Sequence, residues 1–228
     1  MGKAFWDRQQ LGGYAGLKFT AKLIIEQIPD ISKYNLWVEP FSGLGRTAEY
    51  VKLPKVLNDK SEYANNYCKE EFPDAIVENI DFMETINKYD SPTTFFLIDP
   101  PWRSDIYDFN KLTVCDRKIP DYYSQVFDRV KTLKGDWFIL SDEEQRGKKH
   151  IIANSGYGTK VVITEKKVIF GLSAKTLICS NLFSEKIKDN MISTNDLLCD
   201  ICGYLSKDGN DFNEHLTRKF HLSAIGQI

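Results

Sequence analysis

Thr94-Phe95-Phe96-Leu97-Ile98-Asp99-Pro100-Pro101-Trp102 is the stretch on which the fold turns: an apolar run, then a carboxylate, two prolines and an indole. Such a run has the length and composition of a strand buried on both faces, the kind found in parallel sheets. Proline fixes φ and lacks an N–H, so the strand stops at Asp99 and the turn after it is stiff. An acid, a rigidly held carbonyl and an aromatic face at a strand's end suit the grip of a planar amine such as the exocyclic NH2 of a base. The lone pair of that nitrogen is delocalised into the ring, and it becomes a better nucleophile when its hydrogens are held by acceptors. Asp99 can take one N–H, the Pro100 carbonyl the other, with Pro101 stiffening the turn, and Trp102 offers a stacking face. A plain strand-to-loop turn with a buried Trp could be spelled the same way, so the surrounding chain has to decide.

Working outward, Leu36–Glu39, Lys55–Asn58, Ala75–Asn79, Phe95–Ile98 and Trp137–Leu140 are short apolar or β-branched runs of buried-strand length. Helical patterns lie between them. Tyr123, Val126, Phe127, Val130 and Leu133 recur at helical spacing, and Pro120-Asp121 stands where such a helix would start. Thr159–Ile163 with Lys167–Phe170, followed by Lys175–Ser180, predicts a closing hairpin. The expectation is an open, doubly wound α/β sheet, mostly parallel, whose ligand sits beyond the carboxyl ends of the strands at the switch point. The domain covers residues 1–183, polar residues 184–196 form a linker, and 197–228 form a small C-terminal unit.

Composition bounds what the chain can do. At 228 residues, 42% hydrophobic and 13% aromatic, it can bury one full core with a small appendage. No apolar run is long enough to cross a membrane, and MGKAFWDRQQ lacks the apolar core of a signal peptide, so no membrane partner and a cytoplasmic location are expected. Cys68, Cys115 and Cys179 are scattered, which suits reduced thiols better than a disulfide framework. A net charge of −2 gives no global signature for nucleic acid, so any such contact must come from a local patch. Arg103, Lys111, Arg117 and Lys118, in the segment after Trp102, offer one that could meet phosphate. Oligomeric state is not legible.

On this scaffold the Gly43-Leu44-Gly45 turn, after the first central strand, lets the backbone approach a ligand closely. The third glycine of a dinucleotide fingerprint is absent, with Ala48 in its place. The next strand ends in Asn58-Asp59, where a carboxylate can hold a ribose diol with its two oxygens. The third is followed by Asp81-Phe82, an acceptor beside an apolar face suited to adenine. No phosphate cradle is evident. The pattern fits an adenosyl group without a pyrophosphate, and S-adenosylmethionine (SAM) has that form.

Glu39-Pro40-Phe41-Ser42-Gly43-Leu44-Gly45, Asn58-Asp59, Asp81-Phe82 and Asp99-Pro100-Pro101-Trp102, in this order, resemble the motifs of the Dam-like DNA adenine-N6 methyltransferases. Tyr14-Ala15-Gly16-Leu17-Lys18 is similar to that family's Trp-Ala-Gly-Gly-Lys box, and Leu140–Glu143 and Lys175–Leu182 to its later strands, so the likeness spans roughly residues 8–182. The resemblance implies a Rossmann-like, SAM-dependent methyltransferase fold and transfer of a methyl group to adenine N6 in DNA. It also implies cofactor contacts at Tyr14, Lys18, Glu39, Phe41, Gly43, Gly45, Asp59, Asp81 and Phe82, and catalysis at residues 99–102. Two features depart from the family. Tyr14 and Leu17 replace Trp and Gly, and only 16 residues separate Phe82 from Asp99, too few for a target-reading insertion. Guanine-N2 or adenine-N6 transfer in RNA, and an inactive nucleic-acid-binding adaptor, remain as alternatives. Cytosine-C5 chemistry is disfavoured because no proline precedes a cysteine.

A second signal lies in the tail. Cys199-x2-Cys202-x12-His215-x5-His221 has the spacing of a Cys2His2 zinc finger, in which two thiolates and two imidazoles enclose a tetrahedral, structural Zn²⁺. Phe212 stands where such a finger keeps an apolar core residue. Counted back from His215, the base-reading positions of groove-binding fingers fall on Asp208, Asp211 and Glu214, three acids that would repel phosphate. A structural or protein-contacting finger is therefore as well supported as a DNA reader.

Overall fold

The computed structural model describes residues 20–101, 119–142, 156–169, 172–183, 197–198 and 205–206. Its centre is a seven-stranded sheet of β1 (Leu36–Glu39), β2 (Lys55–Asn58), β3 (Ile76–Glu78), β4 (Thr94–Ile98), β5 (Asp136–Asp142), β6 (Gly158–Ile169) and β7 (Leu172–Ser180). The spatial order is β3-β2-β1-β4-β5-β7-β6. Neighbours from β3 to β5 pair in parallel, and β7 runs antiparallel to both β5 and β6. This is the doubly wound, mostly parallel Rossmann-like architecture expected from the sequence. The strand order reverses between β1 and β4, so the crevice predicted for a ligand lies above Glu39 and Asp99.

Alternation along the strands sorts the core into two layers. Val38, Val56, Phe96, Ile98 and Ile139 face one side, where α3 (Phe82–Lys88) and α4 (Ile119–Val130) cover them with Ile86, Tyr123, Val126, Phe127 and Val130. Trp37, Phe95, Leu97, Phe138, Leu140 and Ile178 face the other, under Ile24 of α1 (Ala21–Ile25) and Val51. On that same side Leu57 packs against Ala48 and Cys68, the latter on α2 (Glu62–Glu71). Each large side chain so buried contributes roughly 1.5–3 kcal/mol.

Three local features differ from simple alternation of strand and helix. The crossover from β1 to β2 contains only a 3-10 turn, Ala48–Tyr50. The α4 helix starts at Ile119, one residue before the proline expected to open it, and stops before Leu133, which nonetheless packs on its cluster. Finally, β6 is one strand whose ladder to β7 shifts register between Ile163 and Lys167, which is why its sequence reads as two runs.

A separate two-stranded ladder pairs β8 (Leu197–Leu198) with β9 (Leu205–Ser206), Leu197 opposite Ser206 and Leu198 opposite Leu205. No helix among the described residues is long and apolar enough to cross a membrane.

Candidate active site

Four loops meet at the carboxyl edge of the sheet, and a pair of residues at the end of β2 ties three of them together. The Asn58 side chain is buried, donating from Nδ2 to the carbonyls of Pro40 (3.0 Å) and Ile80 (3.2 Å) while its Oδ1 accepts the Ile80 N–H (3.0 Å). The Asp59 carboxylate accepts the Gly43 N–H at Oδ2 (2.9 Å) and the Ser61 N–H at Oδ1 (2.8 Å). The Asp59 carbonyl takes the Asn65 and Asn79 amides, each at 2.7 Å. Asn58-Asp59 therefore clamps the turns after β1, β2 and β3. Burial pushes the Asp59 carboxyl up from its ordinary value, against those two backbone donors. A carboxylate has about four lone-pair sites, so two remain for the ribose hydroxyls expected there.

The glycine turn has the conformation its sequence requires. Gly43 and Gly45 have φ of 50° and 65°, in the left-handed region, and a Cβ on Gly45 would stand 2.6 Å from Phe72 Cε2. The turn is closed further by the Cys68 thiol, which donates to the Gly43 carbonyl at 3.4 Å.

Glu39 ends β1 with its carboxyl buried, 3% exposed, where Oε1 accepts the Trp37 indole N–H at 2.7 Å. Burial above all pushes this acid up to about 8; the nearby Asp99 carboxylate adds to the rise, while the Trp37 and Ala48 N–H groups and Lys55 oppose it. Asp99 thus lies near enough to Glu39, across the switch point, for its charge to favour the protonated form of the buried acid. Asp99 is half-buried and Pro100 buried, with Pro101 half-buried after them.

An aromatic wall stands on the α3 and α4 side. Phe41, half-buried, lies 4.7 Å from Phe82 and 5.9 Å from Tyr122, while Phe82 and Tyr122 are 5.7 Å apart and both buried. Of the two phenylalanines singled out by sequence, Phe41 offers the accessible face and Phe82 backs it. Asp81 is the N-cap of α3, accepting the Met83 N–H at 2.9 Å, so one of its oxygens shapes the loop.

The structure thus brings Glu39, Phe41, Gly43, Gly45, Asp59, Asp81, Phe82, Asp99, Pro100 and Pro101 to one edge of the sheet. Tyr14, Lys18, Trp102, Cys199, Cys202, His215 and His221 lie outside the described residues, as does the basic segment after Trp102. The chain just after the Tyr14–Lys18 box is anchored near this edge, where Thr20 Oγ1 meets Thr176 Oγ1 at 3.0 Å and Thr176 pairs with Asp142 at the upper end of β5. Three site residues escaped the sequence reading: Asn58 as the clamp, Trp37 as the partner of Glu39, and Tyr122. An adenosyl cofactor with an amino-acid tail fits what is present. Phe41 supplies a ring face, and buried polar atoms of the turn after β1, Ser42 Oγ, Arg46 Nε and Thr47 Oγ1, are without hydrogen-bond partners.

No protein-family model matches the sequence, and no curated protein matches it. Solved structures similar to the chain include a SAM-dependent methyltransferase from Aquifex aeolicus, at 12% identity and a TM-score of 0.44, covering 77% of this chain and 97% of that one. An rRNA methylase from Streptococcus thermophilus is 9% identical with a TM-score of 0.43, covering 68% and 89%. A SAM-dependent methyltransferase from Methanosarcina mazei is 9% identical with a TM-score of 0.47, covering 69% and 95%. The fold assignment itself rests on the strand order and register.

Proposed function

We propose that the chain is a SAM-dependent methyltransferase acting on an exocyclic amino group of a nucleic-acid base, adenine N6 in DNA. The observation that carries this reading is the placement of Asp99-Pro100-Pro101 at the end of β4, beside Glu39 and the Gly43–Gly45 turn at the end of β1, across the switch point of the sheet. Glu39, Phe41, Gly43, Gly45, Asp59, Asp81 and Phe82 would hold the cofactor, together with Tyr14 and Lys18. When bound, SAM supplies a methyl group made electrophilic by its sulfonium.

The chain's own residues prepare the amine. The base is flipped out of its stack, since its amino group cannot be reached inside a duplex, and rests against Trp102. Asp99 accepts one N–H and the Pro100 carbonyl the other, which aims the nitrogen lone pair at the methyl carbon. Transfer would be direct and in line, the N–C bond forming as the sulfonium's C–S bond breaks to leave a neutral thioether, and the amine would lose one proton to solvent by way of Asp99. No residue need form a covalent intermediate, and positioning with hydrogen-bond polarisation would supply the acceleration. A neutral Glu39 keeps a second negative charge away from Asp99.

The tail is read as a zinc finger. The β8–β9 ladder flanks residues 199–204, where Cys199 and Cys202 stand, and two thiolates with two imidazoles, from His215 and His221, are a donor set suited to Zn²⁺. The decisive experiment incubates the protein with labelled SAM and either DNA or RNA, digests the product and identifies the methylated nucleoside. N6-methyldeoxyadenosine is expected; N2-methylguanosine or N6-methyladenosine would move the reading to RNA. A protein that neither binds SAM nor labels any nucleic acid would be the inactive adaptor.

A further inference from the structure

Five buried side-chain atoms of the described residues have no hydrogen-bond partner, and three of them, Ser42 Oγ, Arg46 Nε and Thr47 Oγ1, fall within the turn after β1. A fourth, Asn65 Oδ1, is on α2, which packs on that turn. Leaving a buried polar atom unpaired costs about 1–3 kcal/mol, so such a cluster marks a place where a polar partner belongs.

Arg46 is the unusual member. It is only 5% exposed, and its ion pair to Glu49, at 2.8 Å, uses Nη1, while Nε has no hydrogen-bond partner among the described residues. Its position directly after Gly45, in the turn whose Gly43 carbonyl accepts the Cys68 thiol at 3.4 Å and whose Gly43 N–H donates to Asp59, places it beside the candidate site. Within the turn the Gly45 N–H donates to the Ser42 carbonyl at 2.8 Å and the Glu49 N–H to the Gly45 carbonyl at 3.2 Å. A guanidinium edge and two hydroxyls, opposed by the single acceptor of Asn65, form a donor-rich, positive set, and a guanidinium edge matches a carboxylate with two oxygens.

We propose that Arg46, with the Ser42 and Thr47 hydroxyls, takes the α-carboxylate of the cofactor's amino-acid end. This rests on the reading of the site as a SAM site, and goes beyond the Tyr14–Lys18 box to which the sequence assigns that end. Arg46 then selects cofactors that carry a carboxylate over those that lack one.

Calorimetric titration with SAM and with decarboxylated SAM, which keeps the sulfonium and the amine, tests this. Wild-type protein should bind SAM about 10- to 100-fold more tightly than the decarboxylated ligand. In Arg46→Gln that ratio should collapse towards one through weaker SAM binding, with affinity for decarboxylated SAM unchanged, which also reports that the site is folded. Should Arg46→Gln fail to fold, Ser42→Ala combined with Thr47→Val must lower the ratio several-fold. A folded Arg46→Gln protein with the wild-type ratio overturns the proposal while leaving the cofactor reading intact, and so does an unmoved ratio in the double variant when Arg46→Gln does not fold. Wild-type protein that binds neither ligand overturns the cofactor reading and this proposal with it.

Discussion

The indole N–H of Trp37 holds the Glu39 carboxyl at 2.7 Å, two residues along one strand and on one face of it, with Trp37 itself stacked on Phe95 at a ring separation of 5.1 Å. Glu39 is thereby fixed at the carboxyl end of β1, across the switch point from the end of β4. Its acid sits at about 8 against an ordinary 4.5, chiefly through burial. Between those values the folded protein keeps a proton that the unfolded chain has released. Stability should therefore fall as pH rises from about 4.5 to about 8, by an amount on the order of a few kcal/mol, and level off above. Glu39→Gln should flatten this dependence. Trp37→Phe, which preserves the stack but removes a donor favouring the ionised form, should move the midpoint upward. Urea unfolding across this pH range checks all three proteins, and an unsloped wild-type curve would rule out a buried neutral Glu39.

Asp99 should separate catalysis from cofactor binding. Asp99→Ala deletes the acceptor for the target amine, so methyl transfer should be lost while SAM affinity is largely kept. Because the Asp99 charge helps to raise Glu39, the same variant should lower the Glu39 midpoint. Trp102→Ala should weaken capture of the base by roughly 1–3 kcal/mol, the value of a lost base–aromatic stack. Turnover equal to wild type in Asp99→Ala would remove that carboxylate from the mechanism.

The clamp at the end of β2 predicts different outcomes for adjacent residues. Asn58→Ala removes three hydrogen bonds, one buried and two part-buried, that join the turns after β1 and β3, and should cost about 2–4 kcal/mol of folding stability along with cofactor affinity. Asp59→Ala frees the Gly43 N–H and deletes the acceptors for the ribose hydroxyls, so SAM binding should suffer more than stability. Titration calorimetry beside thermal unfolding distinguishes them, and wild-type SAM affinity in Asp59→Ala would mean the ribose is held elsewhere.

The parallel strands were legible because each is a short apolar run buried on both faces, and the register shift in β6 shows in the polar break between its two runs. Roles at the strand ends were harder to read. A polar residue after a strand looks like a ligand contact, and nothing local tells that Asn58 bonds to two other loops, since those contacts are long-range. Asp81 carried a signal that went unused: with Glu84 three residues on, it has the pattern of a helix N-terminus, and it does cap α3. Arg46 was invisible for a different reason. Arginine is rarely buried, yet in the turn after β1 this one is 5% exposed, and no local pattern signals that.

Gly45 offers a direct test of the turn. Alanine there would have to hold a φ of 65° and place its Cβ 2.6 Å from the ring of Phe72. Gly45→Ala should destabilise the protein by about 1–3 kcal/mol and weaken SAM binding through displacement of the turn. Adding Phe72→Leu should recover part of the stability, because it relieves the contact but not the backbone strain. Full recovery in the double variant would show that φ contributes nothing.

The tail should behave as a metal-dependent unit. The β8–β9 ladder has two residues per strand, and a segment the size of residues 197–228 buries too little apolar surface to fold unaided. Zinc ligation by two cysteines and two histidines contributes on the order of 10 kcal/mol, enough to fold it. One Zn²⁺ per chain is therefore expected by elemental analysis, falling to none in Cys199→Ser combined with Cys202→Ser. Chelation should unfold the tail while SAM affinity stays unchanged. In a finger of this spacing, Asp208, Asp211 and Glu214 would occupy the base-reading positions, and three acids there argue against sequence recognition by it. A chain ending at Asn190 should then methylate short DNA with the same sequence preference as the whole protein. Loss of that preference would make the finger the recognition element despite its acids.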